Sequence, residues 1–218
     1  MNRTLNTAGE ACYQVPMGAL GTVELCYGWP QQIDAVLEEK IIGLMRLTTA
    51  SAPIIGFAEE ISDAEARQYL QDLRGNLAAG KIRLLSIVTG GGELIGLCTL
   101  RRNLNPNNCH ITDLAKGMIH EDYRGGLVLP VAFQEIALQC EQDGVELLTL
   151  DVRDGTPAHH AWQRFGFQTY GTLPDYARAQ GKVHAGHFMM QKVSDLKARA
   201  AQMLQARVAR AQPEGQTA

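Results

Sequence analysis

Thr112 to Ala137, TDLAKGMIHEDYRGGLVLPVAFQEIA, is the stretch on which the reading of the whole chain turns. It runs extended to about His120, then turns through Asp122, Arg124, Gly125 and Gly126. Phe133, Ile136, Ala137 and Cys140 follow at i, i+3, i+4 and i+7, the apolar stripe of an amphipathic helix. A strand feeding a helix through a basic, glycine-bearing turn aims the first unpaired N–H groups of the helix at that turn. There they favour an anion such as a phosphate. Two adjacent glycines are more often no more than a turn, so the sequence on either side has to supply the support.

Downstream, Gly144 precedes the apolar run VELLTLDV from Val145 to Val152, which fits a buried strand. Strand, helix, strand implies a parallel pair joined by a right-handed crossover. Pro157 to Arg164 reads as a short helix, followed by FGFQTYGTLPDYAR. In this order the chain resembles the GNAT family of acyl-CoA-dependent N-acyltransferases, and more narrowly its tabtoxin-resistance and phosphinothricin acetyltransferase-like branch. The resemblance covers roughly Gly56 to Val193. The family's strand, pyrophosphate loop and helix match Asp113 to Gln142, its late helix ending in a Gly-Phe pair matches Ala158 to Phe167, and its G-x-x-P-x-Y segment matches Gly171, Pro174 and Tyr176. The resemblance implies an α/β (α+β) GNAT fold, a mixed central sheet with splayed parallel strands flanked by helices. It also implies transfer of an acetyl group from acetyl-CoA, or another acyl-CoA, to a small-molecule amine or amino-acid-like acceptor. Two alternatives stand beside it: a catalytically decayed binding or regulatory module, and an acyl-thioester decarboxylase on the same fold.

Composition bounds these readings. With 218 residues, nearly half of them apolar, the chain is long enough for one sizeable core and short for two domains. A formal net charge of −3 gives no reason to expect nucleic acid as a partner. No run of ~18 apolar residues suggests a membrane span, and the N-terminal MNRTLNTAGEACYQV lacks the apolar middle of a signal peptide. Cys12, Cys26, Cys98, Cys109 and Cys140 occur singly, an odd count that predicts reduced thiols and a cytoplasmic location.

Along the chain, residues 1–20 read as poorly specified, 21–193 as the acyltransferase-like domain, 194–212 as a helical appendage and 213–218 as a disordered tail. Thr22 to Tyr27 is the expected first strand. Trp29-Pro30 opens a helix with Ile33, Val36, Leu37, Ile41 and Leu44 on one face, and Ser51 to Gly56 is a break. Ser62 and Glu65 have the spacing of a capping box. Ile82 to Val88 and Glu93 to Leu100 form a hairpin around three glycines. Gln168 to Tyr170 and His184 to Gln191 are the closing strands. The last helix either packs on its own domain, the preferred reading, or pairs two copies as a homodimer.

The resemblance assigns roles by position. The pyrophosphate cradle falls on Arg124, Gly125, Gly126, Leu127, Val128 and Leu129, and the main-chain donor for the oxyanion on Ile119, with Met118 beside it. Asp113 is the matched base and Tyr176 lines the acceptor pocket; Lys116 matches a lysine of the same branch. Two departures stand out. Leu127 and Leu129 occupy positions where small residues are expected, and a left-handed leucine costs roughly 1–2 kcal/mol; Gly126 offers a turn shifted by one residue. Trp162 replaces the tyrosine that acts as acid, and its indole N–H supplies no proton at neutral pH. His159 and His160 are candidate substitute acids, as are Tyr170 and Tyr176, although a pair of histidines at an exposed helix start is more often a surface feature. These two histidines have no third ligand at a suitable spacing, so no metal is expected, and His184 and His187 read as core or rim residues of a strand.

Overall fold

The computed structural model describes residues 2–51, 56 and 60–211. Nine strands form one mixed sheet: β1 (Thr4–Leu5), β2 (Ala11–Pro16), β3 (Thr22–Gly28), β4 (Ile82–Thr89), β5 (Leu94–Arg102), β6 (Ile111–Ile119), β7 (Leu147–Arg153), β8 (Gln168–Ala179) and β9 (Lys182–Lys192). Their order is β1-β2-β3-β4-β5-β6-β7-β9-β8. β6 and β7 run parallel, joined through α3 (Val128–Gln142), and the other neighbouring pairs are antiparallel.

Alternation along the central strands explains the two layers of helix. In β4, Leu85 and Ile87 join the core beneath α3, while Ile82 and Leu84 join a second core beneath α1 (Ala35–Ser51) and α2 (Asp63–Ala78). α2 begins where its sequence signals it: Ser62 and Glu65 exchange the hydrogen bonds of a capping box. α1 departs from expectation. Asp34, not Trp29-Pro30, opens it by accepting from the Leu37 N–H at 2.8 Å. Val36 is 59% exposed and Met45 takes a buried place, so the apolar face is rotated from the one read in sequence.

The N-terminal residues also correct the sequence reading. β1 and β2 pair with each other and with β3, so a boundary at residue 20 cuts through the sheet. Ala11, Tyr13 and Val15 are buried, and the Tyr13 hydroxyl donates to the carboxylate of Glu135, a buried residue of α3 that also pairs with Arg3 at 2.9 Å. Glu135 lies more than a hundred residues from Arg3 and Tyr13 in the chain, so no local pattern announced this partner of β1 and β2. Cys12 and Cys26 stand opposite each other on β2 and β3 and form a disulfide. The expectation of five reduced thiols is therefore overturned, and the argument it offered for a reducing compartment goes with it. Cys98 and Cys140 are free and buried, and burial pushes both thiols up to about 12.

α4 (Pro157–Arg164) matches its expected bounds, with Thr156 as its cap. α5 (Val193–Ala211) packs on α3 of its own chain: Val193, Leu196 and Ala200 are core residues, and Lys197 pairs with Glu141 at 2.7 Å. The helix read as an appendage is thus built into the core. The expected tail at 213–218, and residues 52–55 of the expected break, lie outside the described residues. No helix among the described residues is long and apolar enough to cross a membrane.

Candidate active site

The ladder between β6 and β7 covers Ile111–Leu147, Thr112–Leu148 and Asp113–Thr149. Beyond Asp113, β6 stays with β5 as far as Ile119–Gly96, and β7 stays with β9 as far as Arg153–Gly186. The sheet therefore parts into two halves with a wedge between them. On the β6 side the register shifts opposite Leu97–Thr99, and Lys116 sits there in the left-handed region at φ 55°. A bulge of this kind kinks the strand and re-aims its backbone.

The N–H of His120 donates to the Ile95 carbonyl at 2.8 Å. Bonded and unbonded pairs alternate along an antiparallel ladder, so the next pair, Ile119–Gly96, is unbonded and the Ile119 peptide groups point away from β5 into the wedge. Its carbonyl accepts from Arg124 Nε at 2.9 Å; its N–H faces the opening. Met118, the next pair along, is turned back to β5, and its side chain is buried beneath α1 and α2.

At the mouth of the wedge the turn settles the question of the leucines. Gly125 and Gly126 hold the left-handed positions, at φ 85° and 51°. Leu127, the N-cap of α3, has φ −104°, and its side chain is buried in the core with Val128, while Leu129 packs partly buried against it. The strain expected of a left-handed leucine is not incurred, because the turn has moved one residue toward the N-terminus. Among the described residues the N–H groups of Gly125 to Leu129 donate to no protein acceptor. A Cβ built on Gly125 meets nothing within 4 Å, so the space in front of the turn is open. Pro130, in the first turn of α3, removes one further donor.

Trp162, on α4, forms the inner wall. Its ring packs on Phe133 and Phe167 at centroid distances of 5.4 and 5.2 Å. Its edge reaches β6, where a Cβ added to Gly117 would lie 3.9 Å from Cζ2.

The face of the sheet away from α3 carries the polar groups. Leu148, Leu150 and Val152 of β7 point into the core under α3, so Thr149, Asp151 and Arg153 lie on the other face. Asp113 joins them: it accepts from Thr149 Oγ1 at 3.3 Å and stands 3.6 Å from Arg101. Burial raises its pKa, Asp151 adding to the rise and Arg101 and Thr149 opposing it. The Lys116 ammonium is held below its usual range, chiefly by burial and then by Arg101. Tyr176 donates its hydroxyl to Asp151, and its ring packs so close to Gly186 that an added Cβ there would collide with Cγ and Cδ1. Burial and the Asp151 carboxylate raise the phenol far above its usual range. Asp151 was not singled out in the sequence, although the alternation of TLDVR put it on the face of Asp113.

His159 is not the surface residue its helix start suggested. It is 6% exposed, accepts from the Gly155 N–H at 3.3 Å and stacks on His187 at 4.3 Å. Asp154 reaches both rings, at 3.4 and 2.9 Å. The ground on which sequence spacing excluded a metal, the want of a third ligand, no longer holds.

No family model and no curated protein sequence matches the chain. Solved structures do share its architecture. RimJ of Mycobacterium smegmatis, in complex with CoA-disulfide, superposes with a TM-score of 0.67 at 17% identity, over 91% of this chain and 94% of its own. The fold is that of the GNAT acetyltransferases. An acetyltransferase of the GNAT family from Streptococcus pneumoniae gives 0.61 at 15% identity, over 77% of this chain and 98% of that one. Spermidine N-acetyltransferase from Vibrio cholerae, in complex with CoA and spermine, gives 0.62 at 16%, over 78% and 97%.

Proposed function

We propose that this chain is a GNAT N-acetyltransferase that passes an acetyl group from acetyl-CoA to the amine of a small, amino-acid-like acceptor. One observation carries the reading: the Ile119 N–H faces a wedge whose mouth is headed by the unbonded N–H groups of Gly125 to Leu129. That is the arrangement a thioester carbonyl and a pyrophosphate on one elongated ligand require.

Acetyl-CoA supplies an activated thioester, and attack of the amine on its carbonyl carbon forms the C–N bond and breaks the C–S bond. The residues of the chain do the rest. The turn N–H groups hold the diphosphate, and the Ile119 N–H stabilises negative charge on the carbonyl oxygen. Asp113 takes the proton that the ammonium must lose before attack, its raised pKa bringing it nearer the working range of a base. Tyr176 and Asp151 wall the acceptor on the same face. Lys116 and Arg101 supply positive charge suited to an acceptor carboxylate, and the segment Gly171, Pro174, Tyr176 supports the phosphinothricin-like branch. Trp162 closes the wedge without donating a proton, so the thiolate leaves unprotonated and the second proton of the nitrogen passes to water. With a thiol pKa near ~8.5, that costs about 2 kcal/mol at pH 7.

Trp162 also favours a second reading, a module that binds CoA and transfers nothing. Calorimetry with acetyl-CoA and desulfo-CoA, followed by thiol release across a panel of amines, separates the two. Binding with thiol release supports the transferase, and binding without it across the panel supports the module. No heat from either ligand at millimolar concentration removes both.

A further inference from the structure

Asp154, His159 and His187 come from three separate elements: the residue after β7, the first turn of α4 and the middle of β9. One ligand atom from each lies within 4.8 Å of the other two. Oδ1 of Asp154 is 3.4 Å from His159 Nδ1 and 2.9 Å from His187 Nε2. Around a tetrahedral ion with bonds of about 2.0–2.2 Å, ligand atoms stand roughly 3.3–3.5 Å apart. The cluster is close to that spacing already.

The hydrogen bonds indicate what is wanted between these atoms. The Gly155 N–H donates to Nδ1 of His159 at 3.3 Å, so this nitrogen is an acceptor, with its lone pair outward and the ring proton on Nε2. Asp154 Oδ1 lies 3.4 Å from the same nitrogen, so an ion there takes over the lone pair that the long Gly155 bond now uses. Nδ1 of His187 lies 3.3 Å from Thr172 Oγ1. Nε2 of the same ring stands 2.9 Å from Asp154 Oδ1, a hydrogen bond when the ring proton is on Nε2; with the proton on Nδ1 and the Thr172 hydroxyl accepting, the Nε2 lone pair is free for an ion, the outer-partner arrangement typical of ligating histidines. A cation at this point takes the place of the His187–Asp154 hydrogen bond and draws on all three ligand atoms. The His159 ring is buried, and its other nitrogen, Nε2, has no hydrogen-bond partner among the described residues. Burying such a group costs free energy unless something holds it there. The Asp154 side chain is 57% exposed, which leaves a way in for an ion.

We propose that Asp154, His159 and His187 form a binding site for a divalent transition-metal ion of the zinc, cobalt or nickel class, with one oxygen and two nitrogen ligands and a fourth position open to water. Two imidazoles and one carboxylate suit such ions and disfavour magnesium and calcium, which take oxygen ligands. The site does not depend on the acetyltransferase reading. Its effect on the fold is to pin the end of β7, the start of α4 and β9 to one point. Trp162 lies one turn along α4 from His159, so the same pin steadies the inner wall of the wedge.

The test is titration of the chelator-treated full chain with zinc chloride by calorimetry, and with cobalt(II) by absorption. The proposal requires one zinc per chain and a tetrahedral cobalt spectrum without a thiolate band. Thr172→Val weakens binding roughly 10–100-fold. His187→Ala and Asp154→Asn, both at partly exposed positions that the fold tolerates, weaken it further, and His160→Ala leaves it unchanged. Absence of stoichiometric zinc binding overturns the proposal. So does binding that survives both His187→Ala and Asp154→Asn, and so does a cobalt–thiolate band that disappears in Cys109→Ser, which would assign the metal to the exposed thiol.

Discussion

Replacing Leu127 by glycine puts back the small residue that GNAT pyrophosphate loops carry at this position, and it separates two accounts of the loop. If the leucine blocks the cradle, glycine frees it and CoA binds more tightly. The structure argues the reverse. Leu127 is 4% exposed, its side chain is in the core under α3, and its backbone is right-handed, so the leucine neither obstructs the hollow nor strains the turn. Truncation then removes core packing, at about 2–5 kcal/mol. Glycine at an N-cap adds little to that cost, since it is tolerated there. For a chain of this size each kcal/mol lowers the melting temperature by roughly 2–4 °C, so a fall of roughly 4–20 °C is expected. CoA affinity, measured by calorimetry at a temperature where both proteins are folded, should remain within about threefold of wild type. The counterpart is Gly125→Ala. The added methyl meets open space, but the backbone at φ 85° costs roughly 1–2 kcal/mol in a non-glycine residue, and relaxing it turns the N–H groups away from the anion. Here affinity should fall by about tenfold or more, following the same 1–2 kcal/mol. Tenfold tighter binding by Leu127→Gly, or unchanged binding by Gly125→Ala, would refute the claim that the turn has shifted by one residue.

Four further expectations follow from the site. Asp113→Asn should cut kcat/KM by about a hundredfold or more and abolish the acid limb of its pH profile, read from thiol release. The folded pKa of Asp113 is raised, so its ionisation destabilises the native state as pH rises through that value. Asp113→Asn should accordingly be the more stable protein at pH 7 in urea denaturation, with the difference fading below about pH 4. Gly186→Ala drives a Cβ into the Tyr176 ring and should reduce turnover as far as Tyr176→Ala does, with circular dichroism unchanged. Trp162→Tyr supplies the missing proton donor and should raise the rate of thiol release; a flat response in a folded variant that still binds acetyl-CoA would count against that assignment.

What could be read in the sequence depended on how far each signal reached. The strand, turn and helix from Ile111 to Gln142 carry local signatures in periodicity and glycine placement, and α4 and the capping box of α2 are equally local, which is why their bounds hold. β1, β2 and β3 are hairpin neighbours, close in the chain; what no local window contains is the Glu135 partner of Tyr13, more than a hundred residues on. β8 was read as three residues and runs from Gln168 to Ala179, because bulges at Thr169–Gly171 and Leu173–Ala177 absorb Pro174 without ending the strand. Within the proposed site, Asp113, Ile119 and Tyr176 were named from their matched positions in the family. The partnership of Tyr176 with Asp151, and the meeting of His187 with His159, are made by the β7–β9 ladder and had no counterpart in spacing.

The short ladder between β6 and β7 has a mechanical side. Three residue pairs are all that joins these two strands in the sheet, and past them each strand answers to a different set of neighbours. Such a junction behaves as a hinge, and a rod-shaped ligand pushed into the gap acts as a doorstop that sets the angle between the two leaves. Hydrogen exchange at Thr112 and Leu148 should then slow when that ligand is seated, although neither residue touches it.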